Sequence, residues 1–171
     1  MNYLPLLKYI RIKRLTTMPL LNQKESFCTL TGLPDAATFA EQTEQLLSFC
    51  TRTHAKAVML IISFDSKVNE INSQQNDLAL KAIAERLLSK ARDADIYAHL
   101  DGMNFASLTV KTSEDHVSIL VEKLRNELTA PIQLMDGSSI RLNTKVGIAE
   151  CPEQGTSYKE LFEVASNHRL D

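Results

Sequence analysis

The feature that most constrains the fold is a nearly continuous apolar run, Ala57-Val-Met-Leu-Ile-Ile-Ser-Phe64. Its length and its β-branched members favour a strand over a helix. A strand with one solvent-exposed face alternates apolar and polar residues, and this run does not alternate. The run therefore predicts a strand that is buried on both faces.

Helical patterns surround this strand. Asp35 can cap a first helix that runs to Cys50, with Phe39, Leu46 and Leu47 spaced for one apolar face. Similar stripes predict helices over 77–92 and 113–128, and a last helix from about Tyr158 to His168. Along the chain, these helices alternate with the predicted strand and with two predicted hairpins.

Both predicted hairpins centre on an Asp-Gly pair. Asp101-Gly102 separates β-like runs at 96–100 and 105–110, and Asp136-Gly137 separates 132–135 from 140–149. Asp-Gly favours a type I′ turn, in which both central residues have positive φ. The resulting order, α-β-α-β-β-α-β-β-α, predicts an α+β fold with helices packed on an antiparallel-rich, ferredoxin-like sheet.

Composition limits the class of protein. The 171 residues suffice for one domain, predicted over 26–171, and the net charge is −2. Residues 1–24 carry five cations and no acid, so the predicted domain is acidic and argues against nucleic-acid binding. Cys28, Cys50 and Cys151 lie far apart without a CxxC pair, which predicts a reducing cytoplasmic location and no zinc site.

The first 25 residues form a basic leader without the roughly 18 apolar residues of a membrane span. Residues 3–15 have the pattern of a short amphipathic helix that could contact a membrane surface or a partner protein. The alternative is a frayed leader, because short isolated helices are marginal in water.

Four segments together resemble the GGDEF domain of diguanylate cyclases. Leu30-Thr-Gly-Leu-Pro34 is similar to its opening LTGLP, and Ser63-Phe64-Asp65 lies where the family has a D-x-D strand. Asp101-Gly102-Met103-Asn104-Phe105 lies at the signature itself, and Thr144-Lys-Val-Gly-Ile-Ala149 resembles a late family strand. The resemblance covers about residues 26–168.

The resemblance implies that the catalytic residues are lost. Family members hold divalent cations with the first Asp of D-x-D and the acid at the third signature position, which are Ser63 and Met103 here. Asn104 replaces the signature Glu, and Asp101 replaces a glycine beside the nucleotide. Since hard cations need oxygen ligands, we expect no magnesium site, no cofactor and no cyclase activity.

Two pairs of residues are candidates for nucleotide contact by resemblance. Asn72 and Asp77 lie near the family's guanine-binding positions, although loop polarity and a helix N-cap are the favoured explanation of both. Arg92 and Asp95 form an R-x-x-D six residues before the signature, where the family places its inhibitory cyclic di-GMP site. The alternative is structural, with Arg92 ending a helix and Asp95 starting a strand. A second arginine of such a site would be Arg125 or Arg141.

These observations favour an inactive GGDEF domain that binds cyclic di-GMP as a receptor or regulatory module. The alternative is a protein-interaction domain without nucleotide, whose partner is a GGDEF or EAL protein, another regulator or a second copy of the chain. An active cyclase with unusual ligands is the third and least favoured hypothesis.

Overall fold

The computed structural model of the protein describes residues 27–66, 73–92 and 95–170. Four helices lie in these ranges: α1 (Ala36–Thr53), α2 (Ser73–Ser89), α3 (His116–Thr129) and α4 (Tyr158–Asn167). The strands are β1 (Ala57–Ser66), β2 (Ile96–Asp101), β3 (Asn104–Val110), β4 (Ile132–Gln133), β5 (Ser139–Ile140), β6 (Leu142–Cys151) and β7 (Arg169–Leu170). The predicted leader, with its segment 3–15, and Asn72 lie outside the described residues, so the predictions about them stay predictions.

The main sheet has the order β2-β3-β1-β6-β7, and every neighbouring pair is antiparallel. Strand β1 lies at its centre, where Ala57 faces Val110 on one side and Cys151 on the other. The order β6-β1-β3-β2, with α2 and α3 as connections, is that of the βαββαβ ferredoxin-like unit. The predicted fold class is confirmed.

The apolar run of β1 is buried on both faces, as predicted. Residues 57–62 each have 0% exposure. Met59 and Ile61 pack in one cluster with α1 and α4, whereas Leu60 and Ile62 pack in a second cluster with α2 and α3. Burying each such side chain contributes roughly 1.5–3 kcal/mol, so this strand organises both halves of the core.

Helix α1 begins as its sequence predicts. The Asp35 carboxylate accepts a hydrogen bond from Thr38 N at 2.9 Å, which satisfies a backbone donor of the first turn. The helix ends at Thr53, and the capping residue His54 takes the left-handed region with φ 56°. Its apolar face, which includes Phe39 and Leu47, is buried in the core cluster, with β2 and α4 as its main neighbours.

Helix α4 packs unusually close to β6. A Cβ at Gly147 would lie 1.7 Å from the Ala165 carbonyl oxygen. Any side chain at this position would force the helix off the sheet. Gly147 is therefore required by close approach of two backbones.

Arg86 of α2 joins two further elements. Its Nη1 donates to the carbonyl oxygens of Glu127 and Ala130 at 2.8 and 3.1 Å, and its Nη2 to that of Pro131 at 3.3 Å. Carbonyls in the last turn of a helix have no partner within the helix. The guanidinium therefore secures the end of α3 and the chain that leads into β4.

The first hairpin differs from its prediction in turn geometry. Asp101 is the last residue of β2 and pairs with Asn104, so the turn residues are Gly102 and Met103. Gly102 has φ 47°, but no non-glycine residue of the turn has positive φ. The predicted type I′ turn is wrong because a register shift between His99 and Asp101 moves the turn by one residue.

The second predicted hairpin is also corrected. Its return strand is divided, since β5 pairs with β4 whereas β6 leaves at Leu142 to join the main sheet. Asp136 does not take positive φ and instead accepts a hydrogen bond from Ser138 N at 2.9 Å, with Gly137 at φ 85°. An Asp side chain that closes the loop locally removes the need for a type I′ turn.

Element ends differ by a few residues from their predictions. Helix α2 spans Ser73–Ser89 instead of 77–92, and α3 begins at His116 instead of 113. The short edge strand β7, which was not predicted, pairs with β6. Among the described helices, none is both long and apolar enough to cross a membrane.

Candidate functional site

The candidate site lies where β1 leaves the core and meets the hairpin of β2 and β3. Ser63 faces Asn104 across the β1–β3 pair. The Ser63 hydroxyl donates to Asn104 Oδ1 at 2.7 Å, and Asn104 Nδ2 donates to Asp101 Oδ1 at 3.0 Å. A chain of side-chain hydrogen bonds therefore joins three of the predicted site residues.

Met103, in the turn between β2 and β3, points toward the core. Its side chain is half-buried against the cluster of α2 and α3, and its carbonyl accepts a hydrogen bond from Phe64 N at 3.1 Å. Asp65 and Asp101 are the exposed carboxylates nearby, and Asp65 lies opposite Asn143 of β6. Across 27–66, 73–92 and 95–170, no group of three or more His, Cys, Asp or Glu side chains is arranged to hold a metal ion.

Phe105 anchors the hairpin. Its buried ring meets Phe64 edge-on at 5.8 Å between centroids and stacks on His99 at 4.9 Å. The His99 ring also contacts the turn, because its Nε2 lies 2.8 Å from the Gly102 carbonyl oxygen. Aromatic pairs at these distances stabilise by about 0.5–1.5 kcal/mol beyond their burial.

The other nitrogen of His99 meets a cysteine. Cys28 Sγ lies 3.1 Å from His99 Nδ1. Burial acts to raise the pKa of the Cys28 thiol, but hydrogen bonds with the Thr31 side chain, with His99 and with nearby backbone outweigh it and bring the pKa to about 6. The spacing of 71 residues gave no sequence signal for this pair, and only the pairing of the LTGLP segment with the edge of β2 brings it together.

Arg92 and Asp95 share one tight turn. The Asp95 carboxylate accepts hydrogen bonds from Arg92 N at 2.9 Å and from the Thr109 hydroxyl, while Asp95 N donates to Arg92 O at 3.0 Å. Asp95 is only 4% exposed, whereas Arg92 is exposed. The carboxylate thus fixes the turn, and the guanidinium is on its outside.

Buried, uncharged side chains lie behind this turn. Burial, followed by the charge of Asp95, raises the pKa of Tyr97 to about 12. Burial and the charge of Arg92 lower the pKa of His116, although Asp95 opposes them. The Nδ1 atom of His116 accepts a hydrogen bond from Thr112 N at 3.2 Å, as expected for a neutral ring.

The remaining predicted residues are spread out. Asp77 is exposed within α2, past its first turn, so it is not the N-cap of that helix. Arg125 is on α3, beside an open concavity that Lys111 and Glu150 also line. Arg141 is exposed between β5 and β6. The structure therefore joins Ser63 with the signature residues and Arg92 with Asp95, but it places these others elsewhere.

Comparison with curated proteins finds relatives from the same signalling system. The chain is 28% identical over 148 residues to the cyclic di-GMP phosphodiesterase NbdA of Pseudomonas aeruginosa, and covers 19% of that protein. It is 29% identical over 142 residues to the diguanylate cyclase TpbB of the same organism, and covers 32% of it. These matches include 85% and 80% of this chain, which thus spans a third or less of these relatives.

Solved structures agree with the fold. The GGDEF domain of TpbB superimposes with a TM-score of 0.75 at 28% identity, over 82% of this chain and 84% of that one. The coiled coil and GGDEF domain of DgcB from Caulobacter crescentus, solved in complex with c-di-GMP, gives a TM-score of 0.74 at 15% identity, over 94% and 87% of the two chains. This second likeness shows the fold alone.

The family described as "Diguanylate cyclase, GGDEF domain" matches residues 27–169, which is most of the chain. The match includes the opening LTGLP, the end of β1 and the signature hairpin. On this match the protein belongs to the GGDEF domain family.

Proposed function

We propose that this GGDEF domain makes no cyclic di-GMP and instead acts in cyclic di-GMP signalling as a receptor, which reads the dinucleotide with Arg92. The observation that carries the proposal is the turn itself. Arg92 is exposed, while the Asp95 carboxylate holds the backbone of the turn from within. A guanidinium on a fixed backbone loses less conformational freedom on binding than one on a loose loop.

The non-catalytic part of the proposal rests on the donor atoms at the end of β1 and in the turn between β2 and β3. The positions at which the family holds cations offer a hydroxyl on Ser63 and a thioether on Met103. The Ser63 hydroxyl already donates to Asn104, and Asn104 to Asp101. Magnesium prefers oxygen ligands in near-octahedral geometry, with carboxylates among them. These residues do not fit that ion, and the proposal therefore includes no metal.

The roles of Arg92 and Asp95 differ in the proposed complex. An arginine fork can donate two hydrogen bonds to guanine O6 and N7, or to a phosphate. Asp95 is 4% exposed and accepts from Arg92 N and Thr109, which leaves little of its carboxylate for a ligand. We therefore assign ligand contact to Arg92 and positioning of the turn to Asp95.

The similar proteins support a role in cyclic di-GMP signalling more directly than they support a receptor role. The relatives named above are a cyclase and a phosphodiesterase of cyclic di-GMP, and the DgcB structure contains that dinucleotide. A cyclase, a phosphodiesterase and a protein solved with the dinucleotide thus all contain a region similar to this chain.

The binding test is calorimetric titration of cyclic di-GMP into the full chain and into Arg92→Ala. We expect micromolar binding that weakens at least about tenfold in the variant, since hydrogen bonds to a charged group contribute roughly 1.5–3 kcal/mol. Lys90→Ala is the matched control. It removes one charge of the same sign from a side chain that is 60% exposed, two residues away.

The receptor role is supported if the wild type and Lys90→Ala both bind cyclic di-GMP and Arg92→Ala does not. No heat in the wild type contradicts it, and favours the interaction domain without nucleotide. Incubation with GTP and either magnesium or manganese tests catalysis separately. Accumulation of cyclic di-GMP above a no-protein control contradicts the non-catalytic part of the proposal.

A further inference from the structure

Of the three cysteines, Cys28 alone combines partial exposure with a basic partner. Cys50 and Cys151 are 1% and 2% exposed in the core. Burial, followed by the neighbouring Cys151, raises the pKa of Cys50 to about 12, and burial also raises that of Cys151. Cys28 is partly exposed, and its hydrogen bonds lower the pKa of its thiol. The fold therefore separates one cysteine from two inert ones.

The partner of Cys28 is oriented by a third group. A carbonyl oxygen can only accept, so the 2.8 Å contact with Gly102 O places a proton on His99 Nε2. The other nitrogen, Nδ1, is then free to take the proton of the thiol, whose sulfur lies 3.1 Å away. A nucleophile, a base in hydrogen-bond reach and a group that orients the base are the arrangement that activates cysteine.

The remaining surroundings hold both side chains in place. The backbone of the cysteine segment is closed by Cys28 N donating to Leu33 O at 2.7 Å and Gly32 N donating to Cys28 O at 2.8 Å. The His99 ring stacks on Phe105 and its backbone N donates to Pro34 O at 3.1 Å. The contact between sulfur and nitrogen is thus fixed from both sides.

We infer that Cys28 and His99 form a reactive thiolate pair, and that Cys28 is a site of reversible oxidation by hydroperoxides. The thiolate is the reactive form of cysteine, and partly exposed thiolates are the ones that peroxide oxidises. This site does not depend on nucleotide binding, because none of its atoms belongs to the turn of Arg92 and Asp95.

The oxidation balances with hydrogen peroxide as the oxidant. The Cys28 sulfur attacks one peroxide oxygen, so an S–O bond forms and the O–O bond breaks. Sulfur loses two electrons to become a sulfenic acid, and the second oxygen leaves as hydroxide. His99 Nδ1 returns the proton that it took from the thiol, and the hydroxide becomes water. A thiol reductant then restores the cysteine through a mixed disulfide.

The first test is the rate of alkylation of the full chain by iodoacetamide at pH 6, followed for each cysteine by mass spectrometry. Thiolate fraction rises as the thiol pKa falls, while intrinsic nucleophilicity decreases more slowly. We expect Cys28 to react about tenfold faster than the cysteine of an unstructured peptide, with Cys50 and Cys151 unlabelled. A rate at Cys28 no greater than that of the peptide overturns the inference.

The second test uses hydrogen peroxide with dimedone, which traps sulfenic acids. A dimedone adduct at Cys28 that a thiol reductant prevents is the expected result, and no adduct at Cys28 overturns the inference. His99→Phe keeps a ring against Phe105 but removes both nitrogens. We expect its Cys28 to react several-fold more slowly than in the wild type, although the hydrogen bonds of Thr31 remain. Unlabelled Cys50 and Cys151 report that the variant is folded. An unchanged rate in this folded variant overturns the role of His99.

Discussion

The two ends of strand β1 differ in what surrounds them. From Ala57 to Ile62 every residue is fully buried between helices on both faces. At Ser63 the same strand enters a polar edge, where side chains bond to one another and Asp65 is exposed. The packed end builds the family's fold, whereas the polar end holds Ser63, which the resemblance predicts to stand in place of a metal-binding acid.

This contrast teaches that fold and chemistry are held by separate residues in this domain. The contacts that build the core come from β1, β6 and the four helices, and none of them requires a carboxylate at position 63 or 103. We therefore expect substitution at this edge to cost little stability, because a fold can persist without the chemistry of its site. Four measurements test this separation.

The largest effect is expected at the packed end, for Gly147→Ala. The new Cβ would lie 1.7 Å from Ala165 O, and backbone cannot turn aside as a side chain can. We expect the free energy of unfolding to fall by about 3 kcal/mol or more, measured by urea denaturation. Gly137→Ala is the control, because no atom lies within 4 Å of its Cβ. Its positive φ alone should cost about 1 kcal/mol. Equal losses in the two variants would contradict close packing as the cause.

A smaller loss is expected for Arg86→Ala, which removes the guanidinium from the carbonyls of Glu127, Ala130 and Pro131. Because these bonds are to a charged donor, we expect about 2 kcal/mol of stability to be lost. Arg52→Ala, at the exposed end of α1, is the matched control and should change the free energy of unfolding by less than about 0.5 kcal/mol in the same denaturation experiment. A wild-type midpoint for Arg86→Ala would show that the end of α3 does not need this support.

At the polar end, Ser63→Ala should cost only about 0.5–1 kcal/mol. The half-buried hydroxyl makes one bond to Asn104, and water can replace part of it. The free energy of unfolding is measured by chemical denaturation for Ser63→Ala and for Asp65→Ala. Because the Asp65 side chain is exposed, the second variant gives the baseline for this edge. A loss at Ser63 as large as that of Gly147→Ala would break the separation between core and edge.

The smallest effect concerns pH and His116. Burial, and then Arg92, lower its pKa below the ordinary 6.5 in the folded state, although the nearby Asp95 acts in the opposite direction and Lys111 and Lys123 act with Arg92. The unfolded chain therefore binds the proton first as pH falls below about 6.5, and stability decreases with it. We expect thermal midpoints of wild type to fall more between pH 7 and 5 than those of His116→Gln. Parallel curves for the two proteins would contradict this assignment.

The sequence predicts the core better than it predicts the edges. A strand buried on both faces follows from the run at 57–64, and the cap at Asp35 follows from residue type and apolar spacing. The turns fail because their geometry depends on register and on local side-chain bonds such as that of Asp136 with Ser138. Local propensity cannot show either.

The candidate site divides in the same way. The prediction that Ser63 and Met103 stand at the family's acid positions comes from the sequence alone. The bond from Ser63 to Asn104 and the burial of Asp95 need the pairing of distant strands, as does the contact of Cys28 with His99. Long-range pairing is a property of the assembled sheet, so no single segment carries its signal.

The central position of β1 has a consequence during synthesis on the ribosome. Its two neighbours, β3 and β6, both lie later in the chain, and Ala57 meets Cys151 only when nearly the whole domain has emerged. Until then one edge of the most apolar strand has no partner, even after β3 has emerged, and exposed strand edges of this kind associate with one another. Fragments of the chain that stop before β6 are therefore expected to aggregate more readily than the full domain.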